Sequence, residues 1–222
     1  MSRKFLYILR WCGYGFLLMA GFDILQSLIP LGFTNPLWEM STMSSLVERV
    51  PIPILGFLLV FWGEDKERKI WEEKFLKFLP WLCLTLGIIF LLMLPLTVIN
   101  TWRINQTNTL QVDQKLQQEE RQIGQLESQV NQVNLEQLRA IATQLKSVGM
   151  EVNITQPQPQ LKADILAQIA KAKIQMPDRA SALKNNQTFD LLKKSLKLFL
   201  GALISGVLYL QVWQHSSWIK EL

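Results

Sequence analysis

The chain has 222 residues, 49% of them hydrophobic, and a formal net charge of +5. Its apolar residues gather in 5–102 and 198–213, separated by a Gln- and Asn-rich stretch with no aromatic residue until Phe189, a distribution that excludes an ordinary single-core globular protein. The positive charge lies beside apolar segments (Arg3, Lys4; Lys66, Arg68, Lys69; Lys193, Lys194, Lys197), which points to anionic headgroups, and no basic stripe interleaved with aromatics points to nucleic acid.

Residues 5–29 form a first apolar segment, long enough to cross a bilayer. Arg3 and Lys4 precede it, Arg10 and Asp23 interrupt it, and no small-x-small cleavage site follows, so it reads as a retained anchor. Residues 46–62 are a short second segment. The strictly apolar part, Val50 to Trp62, is short enough to be re-entrant, but with Leu46 to Arg49 the segment reaches the lower limit for a crossing; Pro51 is tolerated in the first turn and Pro53 should distort the entry. Residues 78–102 are the strongest crossing, with Trp81 and Trp102 near its ends as interfacial aromatics. Residues 198–214 form the last. There Gly201 and Ser205, and Ala202 and Gly206, are overlapping small-x-x-x-small pairs; such pairs let backbones approach in lipid, but small residues are also common in any membrane helix. Cys12 and Cys83 both fall inside apolar segments and read as small apolar filler.

Topology follows from Lys and Arg near the segment ends. With the N-terminus inside and four crossings, Arg3, Lys4, Lys66, Arg68, Lys69, Lys74, Lys77 and Lys220 lie inside, against Arg49, Arg103, Lys193, Lys194 and Lys197 outside. This places residues 103–190 outside the cytoplasm, in a periplasm or equivalent lumen. If 46–62 does not cross, that region faces the cytoplasm.

Within 103–188, apolar residues recur at Leu116, Ile123, Leu126, Val130, Val133, Leu138, Ile141, Leu145 and Val148, starting from Val112. The steps are mostly threes and fours, which is a heptad seam, with a five-residue skip after Val133 and a polar position at Glu119. The narrow stripe needs a partner, either a second copy or a returning segment of the same chain. QPQPQ at 156–160 should stop the helix. Leu161, Ile165, Ile169 and Ala172 then mark a shorter amphipathic helix that Pro177 should end. A helical hairpin is the expected form.

The single histidine, His215, has no Cys or carboxylate beside it in sequence and reads as an interfacial polar tip. No phosphate loop, dinucleotide fingerprint or nucleophile elbow is present, and no paired carboxylates lie on an apolar helix, so no catalytic, cofactor or metal residue is assigned and an enzyme is not expected. Ionisable residues inside crossings are the strongest site candidates. Arg10 lies near the start of the first segment, within snorkelling reach of the interface. Asp23 lies about 9 Å along the first helix from Ile29, at 1.5 Å per residue. Arg49 enters from the same side after a short connection. An Asp23–Arg49 ion pair between the first two segments is one reading; separate wetting of each charge at the headgroups is the other.

The run NPLWEMSTMSSLVERVPIPILGFLLVFWGED resembles the cyanobacterial HpsJ-like family, named for hormogonium polysaccharide production. LVERVPIP is its most specific part, and RINQTN and LLKKSLKLFLGALISGVLYLQVW are also similar to the family pattern. The resemblance implies an integral membrane protein associated with exopolysaccharide production or export, in some members linked to exosortase-type sorting. It supplies no catalytic residue.

The chain therefore reads as an all-α membrane protein with about four transmembrane helices and an extramembrane coiled-coil hairpin. Its domains are 1–102, 103–188 and 189–222. A plasma or thylakoid membrane would hold it. The expected role is a scaffold or assembly protein whose partner, or second copy, meets the coil. The alternative is a small accessory subunit of a larger membrane complex, a photosynthetic complex being one case. A transporter is disfavoured, because few polar residues lie mid-segment and no inverted repeat is visible.

Overall fold

The computed structural model describes residues 3–29, 32–62, 70–132, 134–147 and 157–216, and every regular element among them is an α-helix. In chain order these are α1 (Arg3–Leu28), α2 (Pro36–Arg49), α3 (Pro51–Phe61), α4 (Ile70–Gln132), α5 (Leu135–Ser147) and α6 (Gln158–His215). The chain divides into two compact units, Met1–Ile104 with Leu191–Leu222, and Asn105–Asp190. The first is called here the apolar unit and the second the polar unit. Among the described residues four helical stretches are long and apolar enough to cross a membrane: within Phe5–Leu28, Pro36–Phe61, Phe75–Val130 and Gln158–His215.

Several expected boundaries shift, each for a local reason. The stretch before residue 46 is not a loop. Asn35 caps α2, its Oδ1 accepting from the Leu37 N–H at 3.0 Å, and Pro36 occupies the first turn, where its missing N–H costs nothing. Glu39 in that first turn suits the helix dipole. α2 runs into α3 through Val50, which keeps a right-handed helical backbone. Pro51 and Pro53 cannot donate to the carbonyls one turn back. The Val47 carbonyl accepts from Val50 N–H at 3.3 Å instead, which breaks the helix in two without turning the chain away. The second candidate span is thus Pro36–Phe61, 26 residues, rather than the short 46–62 segment.

The third segment is part of the 63-residue α4, which holds Pro80 and Pro95 inside it. The last is the C-terminal part of the 58-residue α6. Pro177 does not end a helix, contrary to expectation; it lies within α6. Met176 and Ala180 on either side of it are buried, and Lys173 and Lys184 bond to Glu127 and Asp113 of α4. Packing on both sides of the proline outweighs its lost hydrogen bond. Pro159 in the first turn of α6 and the Pro157 carbonyl, which accepts from Gln160 and Leu161 N–H groups at 3.0 Å, make QPQPQ a helix start.

The apolar unit has one aliphatic and aromatic core that includes Phe57, Val60, Leu76, Leu79, Leu198 and Tyr209. Tyr209 of α6 stacks on Phe90 of α4 (5.6 Å between ring centres) and meets Phe57 of α3 edge-on (6.1 Å). The polar unit has a separate core: Val130 of α4, Leu138 and Ala142 of α5, and Leu161, Ile165 and Ile169 of α6, with Ile123, Leu126, Ile141 and Leu166 packed on its edge. The α4–α6 contacts Glu127–Lys173, Asp113–Lys184 and Asn105–Thr188 run in opposite numerical order, so the two helices are antiparallel.

Candidate functional site

Two features of the molecule are built well enough to act as sites: a set of polar contacts converging on α2, and the aliphatic seam of the polar unit.

α2 carries an unusual density of polar side chains for a helix joined to an apolar one. Its last turn places Arg49 against α1, with Arg49 Nη1 2.8 Å from Asp23 Oδ1 and donating to the Asp23 carbonyl at 3.1 Å. One turn back, Ser45 shares a 3.2 Å hydrogen bond with Ser27, whose hydroxyl also donates to the Asp23 carbonyl at 2.8 Å. Near the start of α2, Glu39 Oε2 accepts from Asn100 Nδ2 of α4 at 2.7 Å. Beside Arg49, Glu48 Oε1 accepts from Lys197 Nζ of α6 at 2.8 Å. These four groups recur at helical spacing around α2, so one short helix reaches α1, α4 and α6 together.

Asp23 and Arg49 are each about a third exposed, so their attraction acts in a partly screened setting. Glu48 and Lys197 are mostly exposed and contribute little by themselves. Asn100 is fully buried and its Oδ1 accepts no hydrogen bond, so its bond to Glu39 is the contact that compensates its desolvation. Thr101 of α4 and Ser195 of α6 share a 2.6 Å hydroxyl bond beside it.

The small residues are also placed. A Cβ on Gly201 would fall on Val47 Cγ1 of α2. Ala202 is fully buried and Ser205 donates back to the Gly201 carbonyl at 2.6 Å. A Cβ on Gly206 would lie 3.0 Å from Leu91 Cδ2 and 3.4 Å from the Gly87 carbonyl. The small face of α6 is therefore engaged inside this chain. A second close crossing joins α1 and α3, where a Cβ on Gly13 would come within 2.9 Å of the Gly56 carbonyl. Gly13, Gly56 and Gly87, together with Glu39 and Asn100, went unassigned in the sequence reading. Asn100 did carry a signal, as an amide at the end of an otherwise apolar run. Arg10 is corrected: it is 8% exposed, on the packed stripe of α1 with Leu6, Gly13 and Ala20, and does not reach outward.

Along the seam, Val130 and Leu138 are fully buried, while Leu116, Ile123, Leu126 and Ile141 are half-buried. Val133 and Val148 lie outside the described residues, as does the side chain of Leu145. The returning α6 supplies Leu161, Ile165 and Ile169 to this core. The five-residue skip coincides with the break between α4 and α5 at Asn134, so α5 restarts with its own stripe in phase. Glu119, the polar seam position, is exposed. Among the described residues no three His, Cys, Asp or Glu side chains converge as metal ligands.

Among the described residues every regular element is helical and four helical stretches are of membrane-spanning length; these, with a separately cored helical unit, define the class. The chain belongs to the HpsJ-like family, whose model, described as HpsJ-like protein, matches residues 4–217. No curated protein and no solved structure matches the sequence.

Proposed function

We propose that this HpsJ-like protein is a non-catalytic integral membrane scaffold, acting in the assembly of machinery that makes or exports exopolysaccharide. The observation that carries this reading is the pairing of an outwardly apolar unit with a polar unit that has its own core. In the apolar unit, Leu18, Phe22, Leu92, Val98 and Ile204 are exposed, a surface suited to hydrocarbon and costly in water. The polar unit spends its aliphatic seam on its own returning helix and leaves Gln, Asn, Lys and Glu outward. Such a body offers a hydrogen-bonding surface to a partner. The partner is met on that outer surface, in the periplasm or lumen.

The test is genetic. In a cyanobacterial host lacking the gene, secreted polysaccharide is measured after complementation with Val130→Glu and, separately, with Gly206→Leu. Under the scaffold reading Val130→Glu abolishes secretion while the protein still accumulates in the membrane. Full secretion with Val130→Glu, and loss only with Gly206→Leu, would move the working surface to the apolar unit and make the chain a subunit of a larger membrane complex.

A further inference from the structure

We propose that Lys193, Lys194 and Lys197 of α6 form a binding site for the phosphate of an anionic phospholipid, at the boundary that Trp102 of α4 also marks. The site lies within the apolar unit, and it rests on reading the four apolar helices as membrane spans.

Between residues 191 and 202 the packed face of α6 is Leu191, Ser195, Leu198 and Ala202, at helical spacing. The three lysines are exposed and stand on the remaining faces, interleaved with exposed Leu192 and Leu196. From Leu200 onward the outward positions are Leu200, Leu203, Ile204 and Val207. The outer surface of one helix thus passes from ammonium groups to hydrocarbon within about one turn of roughly 5.4 Å. That is the profile of a headgroup boundary: the stem of each lysine lies along apolar surface and its ammonium sits at phosphate height.

A second helix marks the same level independently. The 2.6 Å Thr101–Ser195 bond sets α4 against α6. The residue after Thr101 is Trp102, 63% exposed, and the residue before Ser195 is Lys194. Tryptophan prefers this boundary because its ring is apolar and its indole N–H needs an acceptor. An anionic phospholipid at this level offers its phosphate to the lysines. Lys197 is already held by Glu48 at 2.8 Å. Lys194 makes no ion pair among the described residues and is the principal phosphate ligand, with Lys193 one residue away.

The experiment uses the full chain, delipidated in a nonionic detergent. Native mass spectrometry counts what it binds from titrations with dioleoyl phosphatidylglycerol, dioleoyl phosphatidylcholine, or inorganic phosphate. The expected result is a preference of about tenfold or more for phosphatidylglycerol over phosphatidylcholine, since each basic residue near the surface contributes about 1 kcal/mol. The preference should fade as salt is raised. It should disappear in the Lys193→Gln, Lys194→Gln, Lys197→Gln triple variant and persist when the same three lysines are changed to Arg. Changing Lys162 and Lys171 of the polar unit to Gln should leave it intact. Equal binding of the two lipids, or an unchanged preference in the Gln triple variant, overturns the site. Competition by inorganic phosphate as strong as by phosphatidylglycerol assigns an ion site and overturns the lipid. Alkaline carbonate extraction of native membranes separates the two levels: release of the protein defeats the spanning reading itself, whereas retention without lipid preference defeats only this site.

Discussion

In the apolar unit, helices cross closely at glycines beside an aromatic and aliphatic core; in the polar unit, the described helices meet through aliphatic side chains without any such close crossing. Gly13 faces Gly56 and Gly87 faces Gly206, and a Cβ on any of the four meets another helix within 3.4 Å. In the polar unit Gly124 has nothing within 4 Å of its would-be Cβ, and the contact is made by Val130, Leu138, Leu161 and Ile165. The difference follows from the surroundings each unit suits. Burying a leucine from water is favourable, so an aliphatic seam is enough to close a helix pair. Among lipid tails leucine gains little from burial, and close backbone approach plus buried polar bonds must hold the helices. The polar contacts divide in the same way. Those of the apolar unit converge on one helix, α2, and include the fully buried Asn100. Those of the polar unit, such as Lys184–Asp113, are surface links along an existing pair.

The comparison can be broken most forcefully in the polar unit's core. Leu138→Ala should cost about 2–5 kcal/mol. Hydrogen exchange should show α5 and the start of α6 losing protection while the apolar unit keeps its own. Gly13→Val is next: its added atoms meet the Gly56 carbonyl, which cannot rotate away, and overpacking of this kind costs about 1–3 kcal/mol. The thermal transition in detergent should fall, and a normal transition would mean the α1–α3 crossing is looser than described. The Asp23–Arg49 pair comes third. Asp23→Asn and Arg49→Gln should be non-additive in a double-mutant cycle, with coupling of about 0.5–3 kcal/mol; strict additivity would show two separately wetted charges. The smallest effect has the opposite sign. Gly124→Ala should stabilise the polar unit by about 0.5–1 kcal/mol, since the helix gains propensity and the methyl meets nothing. The same exchange at Gly56 should destabilise, because its Cβ would lie 3.0 Å from Leu17 Cγ and 3.1 Å from the Gly13 carbonyl.

Much of the architecture was legible because it rests on one-dimensional signals. Apolar run length marked the helices, and the three-and-four spacing marked the seam that α6 covers. The misread points were decided by tertiary packing or by an overlooked cap. Pro177 obeys its local rule only where nothing packs on both sides. Asn35-Pro36 was a legible helix start that was passed over because the following residues are mixed in polarity. The Asp23–Arg49 contact was accessible to counting, since both residues lie near the same ends of adjacent segments. The Glu39–Asn100 bond was not: it joins residues 61 apart, and nothing in either local pattern names the other.

The convergence on α2 also has an order in time. Its contact with α1 spans 26 residues of chain, that with α4 spans 61, and that with α6 spans 149. Synthesis runs from the N-terminus, and early elements settle first. Arg49 thus finds Asp23 as soon as α2 is made. Glu39 waits for α4, and Glu48 waits until nearly the whole chain exists. Through that interval the Glu39 and Glu48 carboxylates of α2 lack their final partners.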